Sequence, residues 1–385
     1  MVSFKRWFAV FAVVAFVATA CGDDSTPTPA ADNEQAGDCN PGEALTALSE
    51  NVLSDGPNGE TPTSPEEVAL SGDEFAEIEQ MNATAAIVMH YGGNDWSQAQ
   101  IAGLEQQFAE MGIEVIAVTD ADFKPEQQVS DIETVLARNP DIIVSIPTDP
   151  VATEGAYREA AEKGVQLVFM DNVPANMKAG TDYVASVSAD NFGNGVAAAH
   201  LMAQALDCSG TVGIVYHEAD FFVTRQRWDA FKQTVEQDYP GIEIVAEQGI
   251  TGPDFAGDAE KAASAMLTRN PDLDGIWAVW DVPAEGVVAA ARNAGRDDLV
   301  ITTIDLGLNV AIGMADNEFI YGLGAQRPFD QGVNEALLAG YGLLGKKAPP
   351  YVALPALPVT GDNVMDAWQT VYHADPPSDL ADAGE

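Results

Sequence analysis

Between residues 83 and 344, short apolar runs alternate with amphipathic stretches, and this alternation constrains the fold more than any other feature. The run at 85–89 (AAIVM) is uniformly apolar, which is typical of a strand covered on both faces of a parallel sheet. Ile101, Leu104 and Phe108 follow at helical spacing, so a helix is expected to pack back against this strand. Strands that alternate with helices in this way predict parallel sheets.

The same pattern repeats along the chain and divides it into two similar halves. Further strands are predicted at 113–118, 141–146, 165–170, 183–187, 212–216, 242–246, 275–280, 300–304 and 320–325, with helices between them. This number of strand–helix units is larger than a single sheet usually holds, so we predict an α/β protein with two doubly wound lobes. The last stretch, 351–371, is predicted to be extended because prolines interrupt it.

The N-terminus carries a targeting pattern. Lys5 and Arg6 precede an apolar run at 7–20 that ends in Ala-Thr-Ala before Cys21, which is typical of a secretory signal peptide. The run is shorter than the ~20 residues that a spanning helix needs. A cysteine directly after small residues resembles a bacterial lipobox, in which the thiol is lipidated and becomes the mature N-terminus. We therefore predict a signal peptide at 1–20 and a lipid anchor on Cys21, with an ordinary signal peptide and a chance cysteine as the alternative.

Two segments separate this signal from the first lobe. Residues 21–40 are polar and acidic and are predicted to form a disordered tether. Residues 41–82 are predicted to form an N-terminal extension of short elements, in which 64–67 (SPEE) and 71–74 (SGDE) fit capping boxes.

Three cysteines are too few for a disulfide scaffold. Lipidation of Cys21 leaves Cys39 and Cys208, and outside the cytoplasm these two form either one disulfide or none. The sequence does not decide between these two states.

Charge and motif content exclude several classes of function. The net charge of −43 repels nucleic acid and anionic ligands, so no nucleic-acid partner is expected. The four histidines have no metal-ligand spacing, and we expect neither a metal nor a cofactor. The stretch 340–347 approaches a phosphate-binding loop, but it ends a predicted helix and lacks the hydroxyl residue that such a loop requires.

Polar and indole side chains recur where the predicted strands end. Amides, carboxylates, guanidinium groups and indole rings suit a neutral, polyhydroxylated ring, because hydroxyls bond charged groups and C–H faces stack on tryptophan. The residues at strand ends are Asn94, Trp96, Asp149, Asp171, Asn172, Asp190, Asn191, Arg225, Arg227, Trp280, Asp281, Asp305 and Gln326.

The order of these motifs, from Asn-Asp-Trp at 94–96 to Gln326, resembles the type I (ribose-type) sugar-binding proteins of bacterial ABC importers. The resemblance covers roughly residues 83 to 360. It implies the type I periplasmic binding protein fold, in which two Rossmann-like lobes are joined by a three-strand hinge and close over the ligand. The implied lobes are 83–189 plus 327–352, and 190–326 plus 353–385 with the C-terminal tail.

The resemblance also implies the residues of the site. Asn94, Asp171, Arg227, Asp305 and Gln326 are expected to bond sugar hydroxyls and the ring oxygen, and Trp96 and Phe255 to supply apolar or stacking faces. His90, Asn172 and Trp280 occupy site positions but depart from the ribose pattern, so a neutral sugar or polyol is expected rather than ribose itself. Arg227→Ala is expected to abolish binding without unfolding the protein.

These features predict a lipid-anchored, extracytoplasmic and monomeric receptor that hands a sugar or polyol to an ABC permease. A ligand-sensing receptor of the same fold, serving chemotaxis or signalling, is the alternative. Asp171 and Asp305 are a conceivable acid–base pair for glycoside hydrolysis, but the resemblance is to a non-catalytic family and no enzyme is expected. A transcription regulator of this fold is excluded by the signal peptide, the missing DNA-binding headpiece and the acidic charge.

Overall fold

The computed structural model describes residues 39–219 and 221–384, and it divides them between two sheets of six strands each. The first sheet has the order β11-β5-β4-β3-β1-β2 and is parallel throughout. Its strands are β1 (Thr84–Met89), β2 (Glu114–Asp120), β3 (Ile142–Ser145), β4 (Gln166–Met170), β5 (Ala185–Ala189) and β11 (Tyr351–Leu354). The continuous burial of β1, β3 and β4 matches the uniformly apolar runs that predicted them.

The second sheet has the order β12-β10-β9-β8-β6-β7, with the edge strand β12 antiparallel to β10. Its strands are β6 (Gly210–His217), β7 (Ile242–Ile250), β8 (Gly275–Ala278), β9 (Val300–Ile304), β10 (Ile320–Ala325) and β12 (Leu357–Thr360). The predicted α/β architecture with two doubly wound lobes is therefore confirmed. We call the lobe around the first sheet lobe 1 and the lobe around the second sheet lobe 2.

Helices cover both sheets. They are α1 (Pro41–Leu48), α2 (Gly72–Met81), α3 (Asp95–Glu110), α4 (Pro125–Leu136), α5 (Glu154–Glu162), α6 (Asn191–Ala205), α7 (Phe222–Asp238), α8 (Phe255–Arg269), α9 (Asp281–Ala294), α10 (Leu308–Ala315), α11 (Pro328–Leu343), α12 (Val364–Tyr372) and α13 (Ser378–Ala381). Within the described ranges, no helix is both long enough and apolar enough to cross a membrane.

The chain passes between the two sheets three times, between β5 and α6, between β10 and α11, and between β11 and β12. Asp190 lies at the first crossing, and Gln326 and Arg327 lie at the second. The third crossing differs slightly from the predicted boundary at 352, because β11 continues to pair with β5 as far as Leu354.

The prediction of an extended tail at 351–371 is wrong beyond the two short strands. Residues 364–372 form α12, whose inner face buries Val364, Ala367, Trp368 and Val371 against lobe 2. This spacing of three and four residues is that of an amphipathic helix. The upstream prolines lie in or before the strands and do not interrupt the helix.

The two predicted capping boxes have different outcomes. The box at 71–74 is present, since Ser71 and Glu74 bond each other's backbone at the start of α2. The box at 64–67 is absent: Pro65–Glu67 is a short 3₁₀ turn, and the hydroxyl of Ser64 bonds the side chain of Glu66 instead of the backbone.

Residues 39–82 contact both lobes, and we call this segment the strap. Its first part is held by lobe 2 through a Cys39–Cys208 disulfide and through packing of α1 on α6. The strap then reaches the first crossing, where Asp190 accepts hydrogen bonds from the amides of Leu53 (2.8 Å) and Ser54 (2.9 Å).

The second part of the strap is held by lobe 1. Thr63 pairs with β11, donating from its amide to the carbonyl of Tyr351 (3.0 Å). Further along, Ile78 of α2 is fully buried in the lobe 1 core. The predicted signal peptide, Cys21 and most of the predicted tether lie outside the described residues.

Candidate functional site

A cavity opens between the carboxyl ends of the strands of the two sheets, where open α/β sheets bind ligands. It has an empty volume of about 570 Å³, part of which is open to solvent. Nine of the ten predicted site residues line it: His90, Asn94, Trp96, Asp171, Asn172, Arg227, Trp280, Asp305 and Gln326. The structure thus brings residues from six separate parts of the sequence to one cavity.

The loop after β1 and the start of α3 supply the first group. Asn94 is the N-cap of α3, where its side-chain oxygen accepts from the amide of Ser97 (3.0 Å). This cap places Trp96 in the first helical turn, with its indole nitrogen buried and without a hydrogen-bond partner. Burial lowers the pKa of His90 to about 3, so its imidazole is neutral at physiological pH.

Asp171 and Asp305 occupy equivalent places in the two lobes. Each follows directly on a strand, β4 and β9 respectively, and each has a positive φ, 51° for Asp171 and 70° for Asp305. Aspartate tolerates this left-handed conformation better than most residues. Two non-glycine residues held in it at the same cavity are consistent with a functional constraint on both carboxylates.

A hydrogen-bonded network joins these carboxylates across the first crossing. Arg227 lies on α7 and donates through Nε to the side-chain oxygen of Asn191 (2.8 Å) and through Nη1 to Asp305 (3.1 Å). Asn191 donates to the hydroxyl of Ser188 (2.9 Å), which in turn donates to Asp171 (2.6 Å). The network includes both lobes, so ligand groups that bond it also hold the lobes together.

Burial shapes the electrostatics of this network. Desolvation raises the pKa of Asp171 to about 6, against opposing hydrogen bonds from Ser188 and Gln331 and the positive charge of Arg227. The neighbouring Glu335 is fully buried, and its pKa is raised well above the ordinary value by desolvation and by Asp171.

Several polar atoms at the cavity have no partner within the described chain. Among the lining residues they are Nδ1 of His90, Nε1 of Trp96, Oδ1 of Asn172 and Oε1 of Gln326. Gln326 uses its amide nitrogen on Asp305 (2.7 Å), so its oxygen is left as an acceptor. Buried polar atoms without partners are costly, and a ligand rich in hydroxyls would satisfy these four.

Phe255 is the one predicted site residue that does not line the cavity. Its ring packs against three rings of the lining, with ring centroids 5.3 Å from Phe123, 5.5 Å from His217 and 4.9 Å from Trp280. Phe255, which the resemblance implied as an apolar or stacking face, is the first residue of α8.

The strand-end pattern also includes residues that serve the fold instead of the cavity. Asp149 accepts from the amides of Val151 and Ala152, and Asp190 binds the strap. Asp149, Asp190, Asn191, Arg225 and Asp281 are absent from the lining.

Sequence reasoning missed six lining residues, Phe123, Ile146, His217, Phe221, Val223 and Thr224. Ile146 and His217 stand at or directly after the carboxyl ends of β3 and β6, so a search for apolar residues and histidine at strand ends would have found them. Phe221 and Val223 lie further along, at the N-cap and in the first turn of α7.

The lobes touch at the mouth of this cavity. Asp95, at the start of α3 in lobe 1, accepts from the amide of Leu308 at the start of α10 in lobe 2 (2.8 Å). Phe123 of lobe 1 meets Phe255 of lobe 2 edge to face. Within the described part of the chain, no cluster of three or more histidine, cysteine or acidic side chains is arranged to hold a metal ion.

Comparison with known proteins supports the same interpretation. The family profile described as "Periplasmic binding protein domain" matches residues 85–347. The ribose import binding protein of Bacillus subtilis (strain 168) is 29% identical over 202 residues, which are 52% of this chain and 62% of that protein. The D-ribose/D-allose-binding protein of Pseudomonas aeruginosa is 30% identical over 44% of this chain and 52% of its own length. The aligned regions thus span less than two thirds of these relatives.

The fold is shared along nearly the whole length of a solved structure. The periplasmic solute binding protein of an ABC transporter from Actinobacillus succinogenes 130z, solved with bound D-allose, superposes with a TM-score of 0.65 at 25% identity. The match covers 74% of this chain and 99% of that chain. The family match begins at residue 85, after the strap.

Proposed function

The chain belongs to the periplasmic binding protein domain family, a family of binding proteins rather than enzymes, and from this premise we propose that it is a solute receptor of an ABC importer. Its ligand is a neutral sugar or polyol, held in the cavity between the lobes. Closure of the lobes presents the loaded receptor to a membrane permease. The relatives that bind ribose and allose support this assignment.

One observation carries the proposal. The network of Asp171, Ser188, Asn191, Arg227 and Asp305 draws side chains from both lobes to one cavity that also exposes unpartnered acceptors and donors. Hydroxyl groups both donate and accept, so they suit such a mixed lining. Charged hydrogen bonds of this kind contribute roughly 1.5–3 kcal/mol each.

The proposal includes a lipid anchor. Cys21 follows a signal-like apolar run, and its lipidation would hold the receptor at the outer face of the cell membrane. Mass spectrometry of the protein purified from membranes tests this: the mature chain is expected to begin at Cys21 and to carry acyl groups.

A thermal-shift screen over pentoses, hexoses, cyclitols and linear polyols tests the binding function. A ligand that binds only the folded state raises the melting temperature by mass action, by an amount that grows with ligand concentration. At least one member of the panel is expected to produce such a shift. A flat response across the whole panel, repeated by calorimetry at millimolar ligand, would contradict the proposal.

Binding is expected to weaken in acid because of Asp171. Its carboxylate accepts ligand hydroxyls best when ionised, so binding favours the ionised form and lowers the pKa of Asp171 from about 6 in the free protein. Affinity is therefore nearly full at pH 7 and falls as Asp171 becomes protonated, by roughly tenfold between pH 7 and pH 5. Calorimetric titrations at these pH values measure the change.

The matched control for this pH effect is Asp171→Asn. The variant keeps the charged or titratable groups that interact electrostatically with Asp171, namely Arg227, Asp305 and Glu335. Its affinity is expected to be weaker but nearly independent of pH. An unchanged pH profile in Asp171→Asn would assign the effect to another group.

Asp95→Ala is expected to weaken binding by roughly three- to tenfold, although Asp95 lies outside the cavity lining. The variant removes the bond to the amide of Leu308, a contact between lobes that only the closed arrangement makes, worth about 1 kcal/mol. Stopped-flow fluorescence should show the loss as faster ligand release. Asp73→Ala, in the first turn of α2 in the strap, is the control and should bind as the parent does.

A further inference from the structure

Two connected groups of side chains account for most of the lining of the cavity. The first is the polar network already described, which continues from Asp305 to the amide of Gln326 (2.7 Å). Its members are joined to one another by hydrogen bonds of 2.6–3.1 Å. Every ionisable group of the lining apart from the two histidines belongs to this network.

The second group is a cluster of rings, which we call the aromatic wall. In lobe 2, the ring of His217 packs against those of Phe221 and Trp280, with ring centroids 5.4 Å apart in each pair. In lobe 1, His90 contacts Phe123 (4.9 Å). Phe255 connects the two parts, since its ring contacts those of Phe123, His217 and Trp280. The wall therefore extends across both lobes, as the polar network does.

The aromatic wall presents mainly carbon to a ligand, apart from the Nδ1 of His90, which has no partner, and the Nδ1 of His217, which lies 3.4 Å from the hydroxyl of Thr224. Burial lowers the pKa of His217 to about 4 and that of His90 to about 3, so both imidazoles are uncharged at neutral pH. Ile146 and Val223 add aliphatic surface to the same lining. A ligand hydroxyl turned toward these carbon surfaces would lose water without gaining a partner, which is unfavourable.

From this division we infer that the ligand is amphipathic: a sugar or polyol with hydroxyls along one edge and a deoxygenated or O-alkylated carbon group on the opposite edge. The inference rests on the proposed binding function and specifies its ligand class. The hydroxyl edge bonds the polar network. The carbon group lies against the aromatic wall, where burying apolar surface is favourable.

Matched pairs of ligands test the inference by isothermal titration calorimetry. Suitable pairs are D-galactose with 6-deoxy-D-galactose, L-mannose with 6-deoxy-L-mannose, and myo-inositol with its mono-O-methyl ethers. In at least one pair, the deoxy or O-methyl compound is expected to bind about tenfold more tightly than its parent, which is the discrimination a pocket gains from one small apolar group. Parents that bind as tightly as their partners in every pair would overturn the inference.

A substitution beside the aromatic wall should reduce this preference for the deoxy or O-methyl compound without disturbing the fold. Val223→Thr keeps the side-chain shape and replaces one methyl of the lining by a hydroxyl, so it is expected to reduce the tenfold preference to threefold or less. Val151→Thr makes the same change at a position that is 75% exposed and absent from the lining, and should leave the preference intact. An undiminished preference in Val223→Thr would show that the apolar group lies elsewhere.

The outcomes separate this inference from the proposed function. If hydroxylated parents bind and their deoxy partners do not, the receptor function stands and the amphipathic ligand class is wrong. If no compound in any pair binds, and the wider panel gives no thermal shift, the receptor function itself is contradicted.

Discussion

Arg227→Ala is expected to reduce ligand affinity at least a hundredfold and to lower the free energy of unfolding by about 3–5 kcal/mol. Arg227 is 4% exposed and holds Asp305, Asn191 and the carbonyl of Val279. Its removal leaves the carboxylate of Asp305 buried without a cation, which destabilises more than the ion pair stabilises. Chemical denaturation without ligand measures the stability loss, and calorimetry measures the affinity.

This burial revises the expectation that the alanine variant keeps its stability. Two further variants separate binding from folding. Arg227→Lys keeps a cation near Asp305, so it should retain most of the stability. It loses the planar guanidinium group and its fixed set of donors, so it should bind the ligand more than tenfold less tightly. Arg292→Ala removes an exposed ion pair with Glu318 and should cost at most ~1 kcal/mol. Parental affinity in Arg227→Lys would exclude a direct contact between the guanidinium and the ligand.

Replacing both Cys39 and Cys208 by serine is expected to lower the free energy of unfolding by about 2–5 kcal/mol. The two cysteines are 169 residues apart in sequence, so the disulfide closes a long loop and strongly restricts the unfolded chain. Urea denaturation of the double variant measures the difference. The parent protein treated with a reductant should reach the same midpoint as the double variant.

The sequence leaves the disulfide open and the structure contains it, so the double variant also tests how much the bond contributes to stability. Oxidised parent and double variant with identical midpoints would mean that the bond contributes nothing. Ligand affinity is expected to change little, because Cys39 and Cys208 are absent from the lining of the cavity.

Much of the fold could be predicted because its signals are local. Fully buried parallel strands such as β3 require uniformly apolar runs, and the runs stand out between amphipathic helices. The same regularity located Asp171 and Asp305, since a polar residue directly after such a strand stands at the ligand edge of the sheet. The helix α12 contradicts the predicted extended tail, because its apolar residues recur at helical spacing and the nearby prolines lie outside it.

The remaining features depend on contacts between distant segments, which no local pattern records. Phe255 was expected in the lining, but its ring packs against those of Phe123 and Trp280 and it is absent from the lining. Likewise, nothing in the residues around Arg227 indicates that it is buried against Asp305, 78 residues away. The first outcome involves contact between the lobes, and the second involves packing of distant segments within lobe 2.

The strap has a mechanical consequence for a receptor of this kind. It is held to lobe 2 by the Cys39–Cys208 disulfide and by α1, and to lobe 1 at β11, so the fourteen residues 49–62 connect the lobes beside the three crossings. A segment of that length is fully extended at roughly 46–50 Å. We therefore expect a segment that precedes the family match to limit how far the two lobes can separate.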